Sequence, residues 1–368
     1  MDYFSYLKKM QCIQKSILDY IETEENIDEN YEKLIYFFND QNIFEGPHIF
    51  KEIITLILNV SNNHHRTETF FAKIDRIILF FKDAILKNFS NYEIFTIFRK
   101  NYRILLFMLK ENILKIDISV FSKLKNKTYR KAYYPNYFIP EFRELLAEKD
   151  KIKSKRQIPD PSKQNIGRNS EEFERKREIA ENDDQICEII RKDSVEDFIS
   201  YISNSSYSLT STVGSSIFET NAFLINKNPT LIEYAAFYGS LKIFNYLIEN
   251  EIELTPSLWL FAVHGQKMEL LHILENNKIM PEDMSYKNSL LESIACHHIE
   301  MTEYIMKKVQ RIDKKAIIEE SVRYNNYEYF PVEMIVNPDI FYELCKYDYI
   351  SIVEFFLKEK IDFNQTKI

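Results

Sequence analysis

Two short histidine-containing segments have the residue types of a metal site. Cys296, His297 and His298 are adjacent, and so are His64 and His65. Adjacent residues of a helix point about 100° apart, so one metal ion cannot easily bind three consecutive side chains. No CxxC or HxxxH motif supplies further ligands. We therefore interpret both segments as turn or cap residues and expect no metal site.

A cysteine and a histidine can also form a nucleophilic pair, for example Cys345 with His264. Cys345 aligns with Ala236, a small buried position of the repeats described below, and buried thiols behave as small apolar side chains. His298-Ile299-Glu300 matches half of the zinc-deaminase signature, but the P-C-x-x-C half is absent. The sequence therefore predicts no catalytic residue, cofactor or small-molecule substrate. An enzyme or metalloprotein is kept as the less favoured alternative.

Glycine is scarce, with 5 residues in 368. Phosphate-binding loops need glycine so that backbone amides can approach the anion, and neither GxxxxGK[ST] nor GxGxxG occurs. Tight turns between strands also favour glycine, whereas helices can end on asparagine instead. With 45% hydrophobic residues, the composition predicts an all-α protein with a sizeable core.

The four cysteines are widely spaced, which is typical of a reducing compartment. The N-terminus has no apolar core of a signal peptide, and the longest apolar runs are too short to span a membrane. These features predict a cytoplasmic protein without membrane association, with the nucleus as the alternative location.

Charge and composition divide the chain into three parts. Residues 1–148 are predicted to form a helical N-terminal domain. Residues 149–170 are polar and basic and are predicted to be a linker, within which residues 149–156 could act in nuclear import. Binding of nucleic acid is disfavoured, because the chain around this basic segment is acidic and would repel a polynucleotide. Residues 171–368 are predicted to form an acidic domain of helical repeats.

An internal repeat determines our prediction for the C-terminal part. Residues 229–248 read as two short helices with a turn between them, and similar patterns return in 255–277, 290–306 and 341–357. More degenerate copies align at 187–202, which is the more polar of the two, and at 93–113. The predicted core positions are small or apolar residues on one face of each helix: Leu231, Ala235, Ala236, Gly239, Ile243, Leu247, Leu258, Ala262, Leu274, Cys345, Val353 and Phe356.

This pattern resembles the ankyrin repeat. Together with residues 61–66, 216–224, 230–246 and 296–298, it is similar to a large protist family of ankyrin-repeat proteins with an N-terminal helical domain of unknown function. The resemblance implies an irregular ankyrin-like solenoid of helical hairpins that associates with other proteins and has no assigned activity.

In ankyrin folds, residues just before the inter-helix turn lie on the concave side. By this resemblance, Phe237, Tyr238, His264, Lys346 and Tyr347 are candidate contacts to a partner. The expected function is a non-enzymatic scaffold or interaction module for an unidentified protein partner. A nuclear regulatory adaptor that uses residues 149–156 is the alternative.

Overall fold

The computed structural model describes residues 2–44, 46–117, 119–120, 134–141, 170–225, 227–331 and 338–358. These residues form twenty α-helices and one 3₁₀ helix and contain no strand, which confirms the all-α prediction. None of the described helices is long and apolar enough to cross a membrane. The predicted linker lies outside the described residues except for Ser170.

The chain divides into two compact units, residues 1–77 with 232–368 and residues 78–231. This division differs from the predicted one, because the first 77 residues share a unit with the C-terminal repeats. The 20-residue helix α1 (Tyr3–Glu22) and the 17-residue helix α3 (Pro47–Asn63) are amphipathic, and their apolar faces contribute residues to the core, such as Ile13, Ile17, Ile53 and Ile57.

The first unit contains most of the helices. They are α1 (Tyr3–Glu22), α2 (Ile27–Asp40), α3 (Pro47–Asn63), most of α4 (Phe70–Phe80), nearly all of α12 (Leu231–Tyr238), α13 (Leu241–Glu249), α14 (Leu258–Gly265), α15 (Met268–Asn276), α16 (Lys287–Ala295), α17 (Ile299–Met306), α18 (Lys314–Tyr324), the 3₁₀ helix (Tyr327–Tyr329), α19 (Pro338–Lys346) and α20 (Ile350–Lys358).

The second unit contains shorter helices. They are α5 (Lys82–Asn88), α6 (Asn91–Phe98), α7 (Tyr102–Lys110), α8 (Tyr134–Tyr137), α9 (Ser170–Ile179), α10 (Gln185–Arg191) and α11 (Val195–Asn204). The two degenerate repeat copies, 93–113 and 187–202, correspond to the pairs α6–α7 and α10–α11. A capping box of Ser90 and Glu93 starts α6.

Five hairpins of the first unit share one turn geometry. A residue with left-handed backbone follows each first helix, namely Gly239 (φ 66°), Gln266 (φ 52°), His297 (φ 61°), Asn325 (φ 56°) and Asp348 (φ 60°). In four of them the next amide donates to a carbonyl five residues earlier, as in Ser240 N to Ala235 O (2.9 Å) and Tyr349 N to Leu344 O (2.9 Å). Only one of these five left-handed residues is a glycine, so the hairpins form despite the glycine-poor composition.

The first helices of successive hairpins pack side by side, α14 on α16, α16 on α18 and α18 on α19. Gly265 lets the first two hairpins approach, because a Cβ there would lie 2.1 Å from the carbonyl oxygen of Ala236. The N-terminal helices also pack on these hairpins: α1 packs on the 3₁₀ helix, and α3 packs on α18 and α20.

Nine of the twelve predicted core residues are buried, namely Leu231, Ala235, Ala236, Ile243, Leu247, Leu258, Ala262, Leu274 and Phe356. Gly239 and Val353 are half-buried, and Cys345 is exposed. The expectation for Cys345 is corrected: Leu344 points inward instead. Ala236 faces the following hairpin, whereas among the described residues no hairpin follows α20 to cover the equivalent Cys345.

Candidate functional site

The ends of the first helices form a continuous line across the hairpins. Each hairpin has one residue two positions before its left-handed residue, near the end of its first helix. We call these five residues the turn row: Phe237, His264, Ala295, Arg323 and Lys346. In the last three hairpins a glutamate lies one helical turn earlier, at Glu292, Glu320 and Glu343.

Each of these glutamates pairs with a basic side chain of the turn row. Glu320 and Glu343 bind the residue three positions later in their own helix, with Arg323 Nη1 to Oε2 at 3.1 Å and Lys346 Nζ to Oε1 at 3.0 Å. Glu292 instead reaches back to the preceding hairpin, where its Oε1 lies 2.8 Å from His264 Nε2. Burial raises the pKa of Glu320, an effect that Arg323 opposes.

Three of the five predicted partner contacts are buried. Phe237, Tyr238 and His264 have exposed fractions of 4%, 8% and 2%. The ring of Phe237 stacks on that of His264 with centroids 4.9 Å apart. The expectation that these three side chains lie on an open concave surface is therefore corrected, since neighbouring residues of the same unit cover them.

The C-terminal end of the turn row is open. The side chains of Arg323 and Lys346 are 46% and 41% exposed, and Tyr347 is half-buried. Arg323 Nε donates to the Tyr347 hydroxyl at 3.1 Å, and Lys346 Nζ lies 5.0 Å from the Tyr347 ring and 5.9 Å from that of Tyr342. We call Arg323, Tyr342, Lys346 and Tyr347 the open end.

Lys346 and Tyr347 were predicted from the sequence, whereas Arg323 and Tyr342 were not. Arg323 belongs to a hairpin whose second helix is only one 3₁₀ turn, so the repeat pattern is lost there. The adjacent asparagines Asn325 and Asn326 were the available signal, because asparagine tolerates the left-handed conformation that ends a helix.

Five histidines meet inside the first unit. His64 ends α3, and its ring lies edge-on to that of His298 with centroids 4.8 Å apart. His65 N donates to His298 Nε2 at 3.3 Å, and His65 Nδ1 lies 3.1 Å from His264 O. Burial lowers the pKa of His65 to about 4 and that of His297 to about 3. The contacts of His64 and His65 with His298 and with the His264 carbonyl therefore connect the end of α3 to the second and third hairpins.

One part of this region brings metal-binding atoms together. Among the described residues, His264, Glu292 and Cys296 form a group whose ligand atoms all lie within 4.8 Å of one another. Cys296 Sγ lies 3.4 Å from His264 Nδ1. Burial raises the pKa of the Cys296 thiol, and the nearby Glu292 carboxylate raises it further. The cysteine beside His264 is thus Cys296, whereas the pair considered from the sequence used Cys345.

No protein-family model, curated protein or solved structure matches this chain.

Proposed function

We propose that the protein is a non-enzymatic interaction module in which an ankyrin-like row of hairpins binds a partner protein. The observation that supports this most is the open end of the turn row. It places exposed cationic and aromatic side chains from two neighbouring hairpins side by side, and arginine and tyrosine are enriched at protein interfaces.

The open end is also held in place before any partner arrives. The Arg323 guanidinium bonds to Glu320 and to the Tyr347 hydroxyl, and Lys346 bonds to Glu343. The two glutamate side chains are each only 16% exposed. Side chains that are already ordered lose less conformational entropy on binding. We propose that a partner segment with a carboxylate between apolar groups binds here.

The test removes the positive charges of Arg323 and Lys346 without introducing negative charges that would repel a partner carboxylate. The full chain and its Arg323→Gln/Lys346→Gln variant are used as bait in a lysate of the source cell. Lys15→Gln/Lys33→Gln is the control, since Lys15 and Lys33 also pair with an acidic residue of their own helices, α1 and α2, and are more exposed than Arg323 and Lys346. We expect the open-end variant to retain at least about tenfold less of one partner, the loss of about 1.4 kcal/mol of binding free energy. Equal retention by both variants would contradict the proposal.

A further inference from the structure

We propose that His264, Glu292 and Cys296 bind one Zn²⁺ ion. An imidazole, a carboxylate and a thiolate are the three ligand types that zinc takes in proteins, and three protein ligands leave a fourth position open. This site does not rest on the proposed interaction function.

The packing of α14 on α16 brings the three ligands together. Glu292 and Cys296 are four residues apart, at one face of α16 and its C-terminal cap. His264 is on α14, which packs on α16. The ligand set is therefore built across the contact of two hairpins, and neither hairpin holds it alone.

The ligand atoms are close enough together for one ion to bind all three, since they lie within 4.8 Å of one another. His264 Nε2 lies 2.8 Å from Glu292 Oε1 and 3.9 Å from Cys296 Sγ, and the same sulfur lies 3.4 Å from His264 Nδ1. Zinc bond lengths put a nitrogen and an oxygen ligand about 3.4 Å apart, and a nitrogen and a sulfur ligand about 3.6 Å apart. Binding through Nε2 therefore requires the Glu292 carboxylate to move away from the imidazole and the Cys296 side chain to turn from Nδ1 toward Nε2.

The surroundings orient the ligands and limit their number. Phe237 stacks on the His264 ring, and His65 Nδ1 lies beside the His264 carbonyl oxygen. His298 is occupied, since its Nδ1 lies 2.8 Å from Val263 O and its Nε2 accepts from His65 N. A fourth protein ligand from His298 is therefore excluded, and a water molecule takes that position.

An ion can enter from the solvent side. The side chain of Glu292 is 28% exposed, whereas that of His264 is 2% exposed and Cys296 is buried. Cys296 binds as the thiolate, and its proton passes to solvent. Thiolate and imidazole ligands favour Zn²⁺ over Mg²⁺ or Ca²⁺, which prefer oxygen.

Titration of the metal-free full chain with Co²⁺ tests the site, because Co²⁺ replaces Zn²⁺ and gives a thiolate charge-transfer band in the near ultraviolet. We expect the band to saturate at one equivalent and to disappear when Zn²⁺ is added. Cys296→Ser should abolish the band and weaken metal binding at least about 100-fold, since even loss of an outer-shell partner costs roughly 10- to 100-fold. Cys187→Ser, at the other buried cysteine, should change neither.

If Cys296→Ser does not fold, Glu292→Gln tests the site in its place, because a substitution at the partly exposed Glu292 disturbs the core less. We expect this variant to keep the helical circular dichroism of the wild type and to bind Co²⁺ more weakly. A folded wild-type chain without the band, or Co²⁺ affinity equal to that of the wild type in either folded variant, would overturn the proposal.

Discussion

Glu52 is a buried carboxyl group on α3 that faces three tyrosines. The hydroxyl of Tyr6 on α1 donates to its Oε2, and Ser351 N at the start of α20 donates to its Oε1 at 3.3 Å. Burial raises the pKa of Tyr327 and of Tyr349, and the electrostatic interaction of each with Glu52 raises it further. Burial raises the pKa of Glu52 to about 7 from an ordinary value of 4.5, and the two hydrogen bonds only partly oppose this shift.

This pKa predicts a pH-dependent stability. Between pH 4.5 and 7 the unfolded chain has lost the Glu52 proton while the folded chain retains it, so this carboxyl makes folding less favourable as the pH rises. The loss is about 3 kcal/mol when complete. Glu52→Gln should remove it, so that the variant gains stability relative to wild type between pH 5 and pH 8. Urea unfolding at both pH values measures this, and parallel behaviour of the two proteins would contradict it.

Some residues of the candidate site were predictable from the sequence, and others were not. His264, Lys346 and Tyr347 were singled out from their position before a turn, which is a local property. The approach of Cys296 and Glu292 to His264 depends on the packing of α14 on α16, and no local pattern encodes that packing. The burial of Phe237 and His264 was missed for the same reason.

At the scale of elements, the contact between the first two hairpins depends on Gly265. A Cβ at this position would lie 2.1 Å from Ala236 O and 3.2 Å from Gly239 N. Both are backbone atoms, so a rotamer change cannot relieve the clash. Gly265→Ala should therefore separate the hairpins and lower the free energy of unfolding by about 2–3 kcal/mol.

Denaturant unfolding followed by circular dichroism measures this loss. Gly214→Ala is the control, because a Cβ at Gly214 would meet no atom within 4 Å, and we expect a change below about 0.5 kcal/mol. Equal stability of Gly265→Ala and wild type would show that the hairpins do not pack as described.

The hairpins themselves were largely predictable. Apolar residues at helical spacing and one turn glycine located α12–α13, and the same template located α14–α15, α16–α17 and α19–α20. The hairpin that starts with α18 was missed, because a 3₁₀ turn has no run of apolar residues three and four apart. Cys345 was misplaced because the template assumes that another hairpin follows.

At the scale of the whole molecule, residues more than 300 positions apart share one core. Gln14 is buried on α1, where its Nε2 donates to Asn326 Oδ1 at 2.9 Å and its Oε1 accepts from Tyr327 N at 2.7 Å. The sequence predicted separate N-terminal and repeat domains, because periodicity within each segment carries no information about which segments pair.

Removing this polar contact should destabilise the first unit strongly. Gln14→Leu leaves the buried amide of Tyr327 and the side chain of Asn326 without these partners, which costs about 2–4 kcal/mol. Gln41→Leu, whose side-chain amide bonds to the exposed Asp40, should change stability by less than about 0.5 kcal/mol. Thermal unfolding compares the two variants, and a similar melting temperature for both would contradict the shared core.

The most direct test of the account is photo-crosslinking in the source cell from the open end of the turn row. A photoreactive phenylalanine analogue replaces Tyr342, which is 65% exposed, or Tyr36 on α2, which is 76% exposed. We expect one protein to crosslink at Tyr342 and not at Tyr36, and this crosslink to be lost when Arg323 and Lys346 are changed to glutamine. A crosslink of equal yield from both positions, or none from Tyr342, would contradict the assignment of this surface to partner binding.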